Sequence, residues 1–144
     1  MGKVVVNLSM SLDGFIAGPN DEVDRVFQWY CAGDSDVTIT SGDEELAFKL
    51  SPQSKGLFEE RERTTGTIVT GRRLFDVADA WGGKQPANVP VFVVTHHPPQ
   101  EWVNKPDSPF TFVTEGVESA VEQAQKVAGD KMSTWAAQTS PASA

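Results

Sequence analysis

The stretch Thr67-Ile68-Val69-Thr70-Gly71-Arg72-Arg73-Leu74-Phe75-Asp76 decides the fold. Thr67 to Thr70 are all β-branched, which suits a strand covered on both faces. Gly71 ends the run, and a helical pattern is expected from Leu74 to Ala80. A strand that passes almost directly into a helix opens a β-α-β unit, whose next strand runs parallel to the first.

The same alternation continues in both directions. Upstream, Val4-Val5-Val6-Asn7-Leu8-Ser9-Met10 is an almost continuous apolar run and reads as a strand buried on both faces. Residues 11–22, SLDGFIAGPNDE, read as a loop. Val26, Phe27 and Tyr30 have helical spacing, so 24–30 is expected to be a short helix. Gly33 to Gly42 is polar and irregular, and Asp43 is placed to cap a short helix over 44–50 that ends before Pro52. Residues 54–66 read as a second helix, stopped at Gly66.

Downstream, 81–88 is rich in turn residues. Val91 to Thr95 is a buried strand ended by His96-His97-Pro98-Pro99, and Phe110 to Val113 is a fourth strand. Val117, Ala120, Val121, Ala124 and Val127 line one face of a helix closed by Gly129. The pattern predicts one α/β domain with a mainly parallel sheet and helices on both faces. No internal repeat or domain boundary is visible.

The 144 residues suffice for a sizeable core. A hydrophobic content of 39% and four Trp argue against disorder. The net charge of -8 argues against nucleic acid as a partner. No apolar run approaches the roughly 20 residues of a membrane span, and the N-terminus has no leader pattern. The single cysteine, Cys31, excludes an internal disulfide, fits a cytoplasmic setting and is expected to be a small buried hydrophobe.

Open parallel sheets bind ligands beyond the carboxyl ends of their strands. At the end of 67–70, Gly71 lets a ligand approach the backbone, and Arg72 and Arg73 add fixed positive charge with bidentate geometry. At the end of 91–95, Thr95, His96 and His97 supply a hydroxyl and both histidines of the chain. Cationic and donor groups at two strand ends of an acidic chain suit a phosphorylated ligand, such as a 2'-phosphorylated dinucleotide. Two surface arginines and a turn of histidines remain the plain alternative. Adjacent histidines point apart on an extended segment, so no metal is expected. Asp13, beside Gly14, either contacts a ligand or closes its own turn.

Taken together, SLDGFIAG at 11–18, VTGRRLFD at 69–76, VPVFVVTHHPP at 89–99 and FTFVTEGVESAVEQAQKVAGDK at 110–131 resemble the dihydrofolate-reductase-like family. More narrowly, they resemble the reductase domain of the riboflavin-biosynthesis deaminase–reductase and its small stand-alone relatives. The resemblance implies NADPH as cofactor and hydride transfer to a small heterocycle such as a ribosylamino-pyrimidine. It implies that Gly71, Arg72, Arg73 and Leu74 grip the 2'-phosphate and pyrophosphate, and that Thr95 and His96 touch the adenosine phosphate. It places Asp13, Gly14, Ile16 and Ala17 beside nicotinamide and substrate, with Asp13 as a substrate contact. No residue matches the proton-donating carboxylate of folate reductases, although Asp24 lies in the region. A small-molecule substrate and a homodimer are the implied partners. A chain that holds a nucleotide, or serves as an interaction module, without turnover is the alternative function.

The resemblance covers 3–131 and implies a further strand leading into a Gly-Gly pair. Residues 132–144, MSTWAAQTSPASA, show no such pattern and read as a disordered or aberrant tail after an incomplete domain at 1–131. Loss of one G after the Lys131 codon would account for this, since the neighbouring frame permits Asp-Val-x-Val-Gly-Gly-Ala-Asn. The expectation is therefore a reductase domain lacking its C-terminal strands, binding NADPH poorly.

Overall fold

In the computed structural model, which describes residues 2–41, 44–84 and 86–136, the apolar runs become strands β1 (Val4–Asn7), β4 (Thr65–Gly71), β5 (Val91–Val94) and β6 (Phe110–Val113). A further strand, β7 (Met132–Ala136), joins them, and among the described residues the sheet has five strands in the order β1-β7-β4-β5-β6, with every neighbouring pair parallel. All five carboxyl ends therefore lie at one edge.

β7 corrects the reading of 132–144 as a tail: its first five residues sit between β1 and β4. Two buried hydroxyl pairs explain how so polar a segment occupies the sheet. The Thr67 hydroxyl donates to the Ser133 oxygen at 3.0 Å on one face, and Thr65 and Thr134 pair at 3.2 Å on the other. Burial without such partners would cost about 1–3 kcal/mol per group. The in-frame sequence thus supplies the strand that the resemblance requires. Of the Gly-Gly turn expected after it, Ala136 ends β7, while 137–144 lie outside the described residues.

Strand alternation sends Val69 and Phe92 to one face, where they meet Ala120 and Ala124 of α4 (Val117–Ala128). It sends Val91, Val93 and Phe110 to the other, against Phe75 of α2 (Arg72–Val77) and Trp81 and Trp102. Gly129 closes α4 with φ 62°, as its position predicts. α1 (Pro52–Thr64) begins at Ser51, whose hydroxyl accepts from the Ser54 N–H, and buries Phe58.

Other expectations fail for definable reasons. Residues 35–41 and 44–50 are not loop and helix but an antiparallel hairpin, β2 (Ser35–Ser41) and β3 (Glu44–Leu50). Their pattern has period two: Val37 pairs with Phe48 and Ile39 with Leu46, and Val37, Ile39, Phe48 and Leu50 pack with Phe58 and Tyr30. Asp43, the expected cap, lies outside the described residues. Residues 24–30 make turns and a single 3₁₀ turn at 28–31. β1 stops at Asn7, and Val4 and Val6 are 44% and 64% exposed rather than buried, because β1 is the outermost strand among the described residues and α4 packs over the inner strands. Cys31 is exposed, not a core residue. The helix expected at 74–80 starts at Arg72 and gives way to a left-handed turn in which Asp79, Ala80 and Trp81 have φ of 47°, 49° and 48°.

Candidate functional site

The carboxyl ends of β4 and β5 bring together Gly71, Arg72, Arg73, Thr95 and the two histidines. A side chain at Gly71 would meet no atom within 4 Å, so the backbone there is open to a ligand. Arg72 donates from Nε to Asp76 Oδ1 at 2.7 Å and from Nη1 to the His97 carbonyl at 2.6 Å, which ties the two strand ends together. Arg73 donates from Nη2 and Nε to the two oxygens of Asp21, at 2.6 and 3.2 Å. Asp21 belongs to the loop after β1, so this pair latches that loop to the start of α2. The Thr95 hydroxyl accepts from the His97 N–H at 3.2 Å, and His96 is exposed beside it.

Asp13 closes its own turn. Its carboxylate accepts from the Ser11 hydroxyl at 2.6 Å, that oxygen accepts from the Phe15 N–H at 2.9 Å, and Gly14 takes φ 91°. Of the two roles open to Asp13 in the sequence, the structure shows the turn. Asp13 and the buried Ala17 also line a cavity of about 710 Å³, with Ile16 half-buried between them. In the same loop, donors from Asn20 hold the exposed Glu22 carboxyl below its ordinary range. Asp24, the acid considered as a proton donor, lines that cavity too.

Leu74 lines a second cavity, of about 380 Å³, beneath the sheet edge. Phe27, Tyr30 and Trp81 give it aromatic walls, and the left-handed turn at 79–81 carries Trp81 to it. Asn7, Ser9 and Thr134 add polar groups, and Arg61 and Glu62, 3.4 Å apart and each about three-quarters buried, reach it from α1. None of these had been singled out from the sequence. Asn7 carried a signal, a polar residue at the end of an apolar strand. The others arrive from the loop after β1, the 3₁₀ turn, the left-handed turn, α1 and β7, where nothing in the local sequence pattern marks a ligand contact. Among the described residues no group of three or more His, Cys, Asp or Glu is placed to hold a metal ion, and no helix is long and apolar enough to cross a membrane.

Among solved structures, the chain is similar to a crystal structure from Shewanella sp. PV-4, a protein named provisionally for riboflavin biosynthesis. The TM-score is 0.57 at 18% identity, covering 94% of this chain and 64% of that one. The chain thus spans less than two thirds of the length of that relative. No family model matches, and no curated protein matches. The likeness shows a shared fold: the α/β sheet is the dihydrofolate-reductase-like arrangement expected from the sequence.

Proposed function

We propose that the chain is an NADPH-dependent reductase that reduces a planar nitrogen heterocycle, of the kind a ribosylamino-pyrimidine in riboflavin biosynthesis presents. The observation that carries this reading is the aromatic-walled cavity of about 380 Å³ under the same sheet edge that bears Gly71 and the two arginines. Its size falls within the range of small-ligand sites. The name of the structural neighbour agrees with the pathway.

The residues present fit the phosphate end of the cofactor. Arg72, Arg73, Thr95 and His96 are assigned to its phosphates, Gly71 and Leu74 to the approach beside them, and Gly14, Ile16 and Ala17 to the border of the nicotinamide. NADPH bound there supplies a hydride from its nicotinamide ring. Phe27, Tyr30 and Trp81 hold the substrate ring and exclude water, while Asn7 and Ser9 orient it. Among the cavity residues, Glu62 and the Tyr30 hydroxyl are the protonatable groups for the accompanying proton. Asp13 shapes the loop over the substrate. The enzyme is taken to act in the cytoplasm as a homodimer.

Both arginines are engaged by carboxylates of the chain, at side-chain exposures of 36% and 46%. Such exposed pairs are worth about 0–1 kcal/mol, whereas charge-assisted bonds to a phosphate are worth about 1.5–3 kcal/mol, so the phosphate displaces them. Asp21→Asn removes the competitor of Arg73 and is expected to tighten NADPH binding several-fold with little change for NADH. Calorimetric titration checks this, and a weaker complex would show that the latch positions the loop instead.

Oxidation of NADPH by the purified chain with ribosylamino-pyrimidine, dihydrofolate or quinone tests the function. Turnover with the pyrimidine alone is expected. Binding of NADPH with no oxidation of it by any substrate would support a second reading, a nucleotide-binding chain without turnover, which the carboxylate-paired arginines also suit.

A further inference from the structure

We propose that Trp81 gates the aromatic-walled cavity: the left-handed turn at 79–83 refolds as a right-handed extension of α2, which takes the indole out of its seat, and a bound planar ring holds it in. α2 is regular to its end, where the Ala78 N–H donates to the Leu74 carbonyl at 2.9 Å. The next five residues, Asp79 to Gly83, have φ of 47°, 49°, 48°, 65° and 82°. The chain is extended again at Lys84. Glycine visits the left-handed region freely, whereas the Cβ of Ala or Trp there crowds the following carbonyl, and Asp is disfavoured less. Such strain persists where packing enforces it, and it gathers at switching and ligand-clamping segments.

The competing conformation is written in the sequence, since Leu74 to Ala80 has the pattern of a continuing helix. Packing opposes it. Ala80 is 3% exposed, in a cluster with Phe75 and Phe110, and the Trp81 ring lies 6.3 Å from that of Phe75 and 6.1 Å from that of Phe110. Two backbone bonds close the turn, from the Trp81 N–H to the Ala78 carbonyl at 2.8 Å and from the Lys84 N–H to the Trp81 carbonyl at 3.2 Å. A helix exchanges these for bonds to carbonyls four residues back. Phe75 keeps nearer partners in Phe110 and Phe112, at 5.0 and 5.4 Å, so the cluster stays packed when Trp81 leaves it. The two forms are therefore closely balanced.

Of the three aromatic walls, Trp81 is the one on left-handed backbone. Phe27 and Tyr30 meet at 5.5 Å, and Tyr30 is fixed further by Phe48 and Phe58, at 5.0 and 6.1 Å. Movement of Trp81 thus opens the cavity while the opposite wall stands. A planar ring bound against the indole adds a contact to the closed form alone and shifts the population toward it. For its ligand the gate rests on the function proposed above, whereas the movement belongs to the empty chain.

Fluorine NMR of the full chain labelled with fluorotryptophan tests the proposal, with Trp81→Phe assigning one of the four Trp signals. In the unaltered, empty protein the Trp81 signal is expected to exchange with a minor form on the microsecond-to-millisecond scale, and the other three are not. Two substitutions should move that minor population several-fold in opposite directions. Asp79→Gly relieves the left-handed turn and lowers it. Gly82→Ala disfavours the turn and raises it, without a clash, because a Cβ there meets no described atom within 4 Å. Saturating 5,6-diaminouracil, a planar aminopyrimidine, should collapse the Trp81 signal to the closed form. A single Trp81 signal without exchange, shifts of the same sign in both variants, or equal exchange at all four Trp overturns the gate. Opposed shifts that the pyrimidine leaves untouched uphold the movement and overturn the reading of the cavity as a pyrimidine site.

Discussion

Thr134→Pro is expected to unfold the protein, or to leave only a weak, low-temperature melt. Thr134 sits in mid-sheet, in register with Val5 of β1 and Ile68 of β4. Because Ser133 turns its N–H to β1, Thr134 turns its own N–H and C=O to β4. Proline deletes that donor and orphans the acceptor opposite, at about 1–3 kcal/mol. It also removes the hydroxyl that pairs with Thr65, which is 4% exposed, at a similar cost. The sum, roughly 2–6 kcal/mol before any steric strain, reaches the lower end of the whole stability of a small domain, about 5–15 kcal/mol. Thr134→Val keeps the strand and its backbone hydrogen bonds and loses only the hydroxyl pair, so it should cost about 1–3 kcal/mol and still melt cooperatively. Circular-dichroism melts distinguish the two. An unchanged melt for Thr134→Pro would mean that 132–136 is a tail after all.

Phe75→Ala is the second large effect. Phe75 is 3% exposed, and its ring meets those of Phe110, Phe112, Trp102 and Trp81 at centroid distances of 5.0, 5.4, 6.1 and 6.3 Å, all near edge-to-face. Truncation removes this packing and leaves a cavity, at about 3–5 kcal/mol. Trp81 also loses a wall that holds it over the proposed substrate cavity. A lowered denaturation midpoint together with a weakened near-ultraviolet signal from Trp is therefore expected. A change under about 1 kcal/mol would mean that the cluster repacks around the gap.

What could be read in the sequence follows from how burial is encoded. β4 and β5 are legible because Ile68-Val69 and Val91 to Val94 lie inside the sheet and read as continuous apolar runs, and β6 because Phe110, Phe112 and Val113 are apolar, although Thr111 between them is exposed. α4 was legible from its spacing and from Gly129. β7 was not, because Ser133 and Thr134 are buried as hydroxyls satisfied across 66 and 69 residues of chain, a partnership hydropathy cannot express. The alternation Leu46, Phe48, Leu50 was present but masked by the acidic stretch before it, which mimics a helix start. At the site, Gly71 and the arginines stood out locally. Their partners did not, since Asp21 lies 52 residues from Arg73, and the His97 group that meets Arg72 is a carbonyl.

The central claim is that the arginines at the end of β4 read a cofactor phosphate. Calorimetric titration of NADPH and NADH into the chain and its Arg72→Ala variant tests it most directly. The account predicts that the unaltered chain binds NADPH more tightly than NADH, and that Arg72→Ala costs NADPH about 1.5–3 kcal/mol while leaving NADH nearly unchanged. Equal affinity for the two nucleotides, equal losses on substitution, or no binding of either would contradict it.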